Sequence, residues 1–271
     1  EELVRKTNAL VEYQESEEKP EDLACIPMLK RSDIRREVNG FSNEELSVDG
    51  SLFLYQDVCT NGIGYVNAMF EIKDMAVDKV HYLGLLKSVL GYVDTENYTY
   101  GELFNEINAN TGGINCGVEV FDRADSTEEF QDMFSVRGKA LYTKMDFLFK
   151  MIGEILNSSK LEDTKRLYEI VASVKSRAQV NLTGAGHSTA VLRAAAYSSP
   201  MAAFQDEMAG IGYYQFIEKL EKDFEQRKEE TVEELCKLMK EILRPENFMI
   251  SYTGERESLD CLLYTSPSPR D

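Results

Sequence analysis

The feature that most constrains the fold is an Asn61-Gly62 pair between two apolar-rich runs, LFLYQDV before it and IGYVNAMFEI after it. Asn-Gly supplies the two positive φ angles that a two-residue type I′ turn requires. The pattern therefore predicts a β-hairpin between neighbouring strands, and a tight hairpin can join only antiparallel strands. The second run alternates with a period of two and has apolar residues on both sides, which indicates a sheet partly covered on each face.

Helical patterns follow these strands. The stretch DKVHYLGLLKSVLG predicts a helix over residues 78–91, and Thr99 with Glu102 forms a capping box at the start of the next helix. Further apolar runs predict strands at residues 114–121, about 129–136 and 247–254, with four or more helices before the last. Helices that are grouped in sequence tend to cover one face of an antiparallel sheet. We therefore expect an α+β fold over residues 41–258.

Two flanking segments differ from this central region. Residues 1–40 place apolar residues such as Leu10 on one helical stripe and then break at Pro20 and Pro27. This pattern is typical of a helical linker. The chain ends in CLLYTSPSPRD, which is rich in Ser and Pro and does not continue the apolar periodicity. We interpret residues 259–271 as an unrelated tail, artefactual or disordered.

The composition excludes several classes of function. The formal net charge is −18, whereas a protein that binds the nucleic-acid backbone needs clustered Lys and Arg. No apolar run approaches the roughly 20 residues that span a bilayer. The five cysteines are scattered and form no CxxC pair, which favours reduced thiols. We therefore predict a cytoplasmic protein that binds neither nucleic acid nor membrane.

His81 is one of only two histidines in the chain. In the HxxEH motif, two histidines one helical turn apart bind zinc, and the glutamate is the general base. Residues 81–85 read His-Tyr-Leu-Gly-Leu, so Gly84 occupies the base position and Leu85 the second ligand position. A catalytic zinc needs about three protein ligands. We therefore predict no metal ligand, no cofactor-binding residue and no catalytic residue here, and interpret His81 as structural.

The second histidine, His187, lies in LTGAGHSTAVLRAAAYSS. A Gly-rich turn can bind phosphate, and the His187-Ser188 pair suggests a serine hydrolase, but the chain has neither a GxSxG elbow nor a P-loop lysine. We interpret Gly184 and Gly186 as permitting a tight turn between helices, with His187 or Ser188 capping the second helix. A serine or thiol hydrolase that uses His187 stays an alternative. A further hypothesis places Arg193 at a cavity, where it would bind peptide carboxylates or carbonyls.

Four segments carry a resemblance to a known family. They are VEYQESEEKPEDLACIPMLKRSDI, TNGIGYVNAMFEI, VHYLGLLKSVLG with YTYGELFNEINANTGGI, and GAGHSTAVLRAAAYSS. In this order and spacing they resemble the presequence-protease branch of the pitrilysin/insulysin zinc metallopeptidases, over nearly all of residues 1–258. The resemblance implies an interdomain helical hairpin followed by the third of four related α+β domains.

In that family the four domains enclose a chamber for unfolded peptides, and only the first carries HxxEH. The resemblance implies that His81 occupies the place of the zinc helix without its partners, and that zinc belongs to the intact enzyme. It also implies three partners: a missing N-terminal catalytic half, a missing C-terminal domain, and peptide substrates. The lack of Met at position 1 fits this expectation.

The function predicted on this basis is a non-catalytic, chamber-forming domain of a zinc metalloendopeptidase, inactive by itself. An independent scaffold or interaction module of the same fold is the alternative.

Overall fold

A computed structural model describes residues 1–17, 19–34, 36–37, 40, 42–48, 50–72, 77–126 and 129–259. Two compact units are present, Glu1–Phe41 and Ser42–Asp271. The first contains helices α1 (Glu2–Glu15) and α2 (Pro20–Ala24), and neither helix has a buried residue. Pro20 occupies the first turn of α2, where a backbone N–H would have no helical partner. The residues of the predicted apolar stripe form helix α1, and apolar side chains of this helix are exposed, including those of Leu3 and Leu10.

The second unit is built on one six-stranded sheet among the described residues. Its strands are β1 (Glu44–Val48), β2 (Ser51–Asp57), β3 (Ile63–Glu71), β4 (Ile114–Asp122), β5 (Phe130–Leu141) and β6 (Phe248–Gly254). The order across the sheet is β1-β2-β6-β3-β5-β4. Every neighbouring pair is antiparallel except β2 with β6, which is parallel. The predicted α+β class is thus confirmed.

Eight helices of the second unit are described. They are α3 (Val77–Val89), α4 (Tyr100–Asn110), α5 (Met145–Ser158), α6 (Thr164–Gly184), α7 (Gly186–Ala195), α8 (Pro200–Ala209), α9 (Ile211–Lys222) and α10 (Phe224–Ile242). The capping box predicted at α4 is confirmed, because Thr99 and Glu102 each accept the other's backbone N–H. Within the described ranges, no helix combines the length and apolarity that crossing a bilayer requires.

The core lies between one face of the sheet and the helices. Phe134 and Val136 of β5 are fully buried, as are Leu83 of α3 and Leu148 of α5. Each such side chain stabilises the fold by roughly 1.5–3 kcal/mol relative to leaving it in water. Helix α5 lies so close to β5 that a Cβ at Gly138 would stand 2.6 Å from the Leu148 side chain. This contact holds α5 against β5, the strand next to the edge strand β4.

The hairpin predicted at Asn61-Gly62 is wrong, although the local turn is right. Asn61 has a φ of 54° and Gly62 a φ of 80°, as a type I′ turn requires. Strand β6 nevertheless lies between the two strands that the turn connects. The five residues from 58 to 62 reach across it, since neighbouring strands are only about 4.8 Å apart. The Glu255 carboxylate, just after β6, accepts the N–H groups of Thr60 and Asn61 and holds the turn over the inserted strand.

A hairpin that the sequence analysis missed joins β1 to β2. Val48 lies opposite Ser51, and Gly50 has a φ of 86°. The Asp49-Gly50 pair carries the same sequence signal as Asn61-Gly62. The tail predicted over residues 259–271 lies outside the described residues except for Leu259, which is buried.

Candidate functional site

His81 lies in the second turn of α3 and has two partners. Its Nε2 atom is 2.6 Å from Oε2 of Glu207 on α8. Its ring stacks on Phe216 of α9, with centroids 4.9 Å apart. The His81 side chain is only 18% exposed. His81 therefore connects α3 to α8 and α9.

The two motif positions after His81 are used for packing. A Cβ at Gly84 would stand 2.5 Å from the Met208 carbonyl oxygen of α8 and 2.7 Å from the Tyr213 ring. Leu85 is fully buried in the core. A glutamate at position 84 would have to displace the backbone of α8. Neither a glycine nor a leucine side chain has an atom that can bind zinc, so positions 84 and 85 do not fit the metal. Among the described residues, no group of three His, Cys, Asp or Glu is placed to hold a metal ion.

Arg193 of α7 lies near two carboxylates of α8, one of which also contacts His81. One of its terminal nitrogens, Nη1, is 2.5 Å from Oδ2 of Asp206 and 3.9 Å from Oε1 of Glu207. Asp206 is fully buried and also accepts the backbone N–H groups of Ile211 and Gly212. The hydrogen bond and the charge of Asp206 raise the pKa of Arg193 above its usual value. The charge of Arg193 is thus neutralised inside the chain, which argues against the peptide-binding hypothesis for it.

We call His81, Arg193, Asp206 and Glu207 the acid-paired cluster. His187 and Ser188 are not part of it. Both are exposed on the first turn of α7, and among the described residues neither side chain has an orienting acid. The capping prediction is wrong, because Ala185 is the N-cap of α7 and no side chain caps it.

The interpretation of the two glycines around this turn is also wrong. Neither Gly184 nor Gly186 has a positive φ, and a Cβ at either position would meet nothing within 4 Å. The turn between α6 and α7 therefore does not need glycine at either position.

The sheet face away from the helices is polar at one end. Tyr65 of β3 and Arg137 and Lys139 of β5 are exposed there. They line a shallow cavity of about 230 Å³ with Thr253 of β6. This end of the face presents aromatic, cationic and hydroxyl groups to solvent.

One carboxylate anchors this polar surface. Burial opposes the ionisation of Glu119, but hydrogen bonds from Asn67 and Arg137 outweigh it and hold the pKa of that carboxyl below its usual value. Glu119 therefore stays ionised at neutral pH and fixes the orientation of both donors. The result is an ordered surface of hydrogen-bonding groups.

Two cations that no sequence motif marked lie beside the last turn of α3. Lys87 and Arg177 of α6 line one cavity of about 270 Å³. A lone lysine in the apolar run LGLLKSVLG was the available signal. The approach of α6, which comes from far along the chain, could not be read from that run.

Comparison with known proteins gives the family context. Residues 1–220 match the family model described as associated with peptidases of family M16, subfamily C. The chain is 34% identical to Protein HypA of Clostridium perfringens, over 96% of this chain and 26% of the relative. It is 27% identical to presequence protease 1, chloroplastic/mitochondrial, of Arabidopsis thaliana, over 95% of this chain and 24% of the relative. The chain thus spans about a quarter of the length of these relatives.

Solved structures with the same fold show much lower identity. A conserved protein from Enterococcus faecalis V583 superposes with a TM-score of 0.57 at 13% identity, over 82% of this chain and 52% of that one. A protease from Helicobacter pylori superposes with a TM-score of 0.52 at 12% identity, over 83% and 49%. At such identities the likeness is one of fold alone.

Proposed function

Because the chain belongs to the family of domains associated with peptidases of family M16, subfamily C, we propose that it is a non-catalytic, chamber-forming domain of a longer zinc metalloendopeptidase that degrades unfolded peptides. The family match confirms the resemblance drawn from the four sequence segments. Relatives about four times as long, among them presequence proteases, support the view that other domains of the same protein are its partners.

The observation that carries the non-catalytic assignment is the packing at Gly84 and Leu85. Because Gly84 has no side chain, the backbone of α8 can lie directly against it, and Leu85 is buried in the core. Helix α3 thus contributes stability where a catalytic helix would present a base and a second ligand. When bound in another domain, zinc would polarise the scissile carbonyl and activate water. The residues of this chain take no part in that step.

The polar end of the open sheet face supports the role of a chamber wall. Exposed Tyr65, Arg137 and Lys139 can contact a peptide without matching one particular sequence, because they offer an aromatic ring and long cationic side chains. The Glu119 hydrogen bonds keep this surface in one arrangement. Such a wall would hold extended peptides and exclude folded proteins by size.

A reducing compartment is part of the proposal. Four cysteines of the described chain, Cys25, Cys59, Cys116 and Cys236, have free thiols. Burial raises the pKa of Cys116 to about 12, so this thiol stays protonated and unreactive at neutral pH. Relatives named as mitochondrial make the mitochondrial interior a second compartment to test beside the cytoplasm.

The test compares this chain with the intact parent protein on a fluorogenic unfolded peptide. We expect no hydrolysis by the 271-residue chain, with or without added Zn²⁺. We expect hydrolysis by the intact parent that a chelator abolishes and Zn²⁺ restores. Zinc-dependent cleavage by the chain alone would contradict the non-catalytic assignment. A parent with no peptidase activity would indicate the alternative, an independent scaffold module.

A further inference from the structure

The cavity beside the last turn of α3 has the features of a binding site. It is lined by Lys87, Tyr92, Phe104, Asn108, Asn115 and Arg177, which come from α3, α4, β4, α6 and the loop after α3. We call it the Lys87 cavity. Its volume of about 270 Å³ lies just below the roughly 300–1,000 Å³ of pockets for drug-sized ligands. This space suits one amino-acid residue and is too small for a nucleotide.

Lys87 is the unusual group in this cavity. Among the described residues no carboxylate lies within salt-bridge distance of it, and its side chain makes no hydrogen bond to the chain. Burial alone shifts its pKa, downward from the usual value. A half-buried ammonium without a partner costs stability, and the formal charge of −18 shows that acids are abundant in this chain. The lack of a partner at Lys87 is therefore informative.

Arg177 adds a second cation to the Lys87 cavity. Arg177 is exposed, and in the described part of the chain its guanidinium lacks an ion pair. Two residues earlier on the same helix, Lys175 binds Glu221 at 3.0 Å. Lys175 is therefore neutralised within the chain, whereas Arg177 is not. Lys87 on α3 and Arg177 on α6 thus bring two cations without ion pairs to one cavity of an acidic protein, where they form a local positive site.

The residues at the rim of the Lys87 cavity indicate which kind of anionic ligand would fit it. Phe104 and Tyr92 are 58% and 49% exposed, so both rings present apolar surface at the rim of the cavity. The amides of Asn108 and Asn115 line the same space and can hydrogen-bond a peptide backbone. Apolar rings and amides beside two cations match a carboxylate attached to a peptide better than a free inorganic anion.

We propose that the Lys87 cavity binds a peptide carboxylate, with Lys87 and Arg177 as its cationic partners and Phe104 and Tyr92 contacting the neighbouring side chain. The carboxylate can come from the C-terminus of the peptide or from an Asp or Glu side chain. This inference rests on the proposed function only in one respect, that the carboxylate is taken to belong to a peptide.

The experiment titrates the 271-residue chain calorimetrically with three peptides. They are acetyl-Gly-Ser-Gly-Phe with a free C-terminus, the same peptide as its C-terminal amide, and the amide of acetyl-Gly-Asp-Gly-Phe. At least one peptide with a carboxylate should bind about tenfold or more tightly than the neutral amide, because charge-assisted hydrogen bonds are the stronger ones. The free-terminus peptide and the Asp peptide distinguish the two sources of the carboxylate.

Variants separate this site from general attraction. Lys87→Met should weaken binding of the charged peptide about tenfold or more, and Arg177→Gln by a smaller factor. Lys175→Met, on the same helix as Arg177 but paired with Glu221, is the matched control and should leave Kd unchanged. Lys87→Met removes an unpaired cation from a half-buried position and is expected to fold at least as stably. Loss of binding in this variant would therefore not reflect misfolding.

The proposal is overturned if the charged peptides bind no better than the neutral amide, or if Lys87→Met leaves their Kd unchanged. It is also overturned if inorganic phosphate binds more tightly than every peptide at a site that Lys87→Met abolishes. These titrations use the chain alone and require no hydrolysis. Their failure would therefore leave the proposed peptidase function untouched, and failure of the peptidase test would leave the carboxylate site to stand.

Discussion

The two ends of α3 place basic side chains in opposite environments. Near its start, His81 lies 2.6 Å from the Glu207 carboxylate and belongs to the acid-paired cluster. Near its end, Lys87 has no such partner in the described part of the chain and lines a cavity. The difference separates two roles for polar groups. A group that the fold itself satisfies holds helices together, whereas a group left unsatisfied can bind a ligand.

The largest expected effect comes from rebuilding the catalytic motif at the first end. The double substitution Gly84→Glu with Leu85→His should lower the free energy of unfolding by more than about 4 kcal/mol, because it overpacks α8 and buries polar groups in the core. Urea denaturation followed by circular dichroism measures this effect. A zinc titration should show no tight binding.

The matched control for this variant is Gly101→Ala on α4, where a Cβ would meet nothing within 4 Å. It should be neutral or stabilise by up to about 1 kcal/mol, since alanine has the higher helix propensity. A double variant as stable as the parent chain would show that the α8 contact does not exclude the motif.

The next effect tests the acid-paired cluster itself. Asp206→Ala should destabilise the fold by about 2–4 kcal/mol, because it leaves Arg193 and two backbone N–H groups without their acceptor. The expected loss is below the full cost of breaking a buried pair, since Arg193 is 40% exposed and can be hydrated. Asp125→Ala removes an exposed ion pair with Arg123, which solvent screens, and should leave stability unchanged within the error of the measurement. If the two variants lowered stability equally, the buried Asp206 would stabilise the fold no more than the exposed Asp125.

The opposite sign is expected at the other end of the helix. Lys87→Met should stabilise the fold by about 1 kcal/mol at pH 7, because the ammonium has no acid partner there. The pKa of Lys87 is lowered in the folded state, so at neutral pH the unfolded state binds its proton more tightly. Stability of the parent chain should therefore rise as the pH approaches 10.5, the ordinary pKa of lysine, and the advantage of the variant should shrink.

Denaturation of the parent and of Lys87→Met at neutral pH and at two higher pH values, the last close to the ordinary pKa of lysine, follows this change. A variant that is less stable than the parent at neutral pH would show that Lys87 has a partner within the fold. The comparison between the two ends of α3 would then fail.

The smallest effect is expected at Glu207. Glu207→Gln keeps an oxygen that can accept from His81 and loses only the charge, so stability should fall by about 0.5 kcal/mol. Glu218→Gln on α9, where the carboxylate accepts the exposed Tyr214 hydroxyl, serves as the control and should have no measurable effect. A loss of more than about 2 kcal/mol at Glu207 would place the main support of the cluster there rather than at Asp206.

Local patterns in the sequence predicted local structure well. The run LFLYQDV became β2, the Thr99 box starts α4, and Asn61-Gly62 has the expected backbone. Strand β1 was missed because EELSV is short and mostly polar, and only the Asp49-Gly50 signal marked it.

What the sequence did not reveal depends on residues distant in the chain. Strand β6 enters beside the Asn61-Gly62 turn from nearly 190 residues later, so no local rule could place it. Arg193 was selected as a charge at a cavity, but its partner Asp206 lies on another helix. Lys87 was passed over because its burial depends on α4 and α6. Motif spacing located the position of His81, and only the packing of α8 explains Gly84.

The insertion of β6 also has a consequence for how the chain folds. Strands β2 and β3 are neighbours in sequence, but they cannot complete the sheet until residues 248–254 arrive between them. Contacts of such long sequence separation slow folding. At ordinary synthesis rates the central slot would stay empty for on the order of ten seconds or more during translation. The last strand therefore acts as the closing step of assembly, and a chain that stops before it would expose two unpaired strand edges to aggregation.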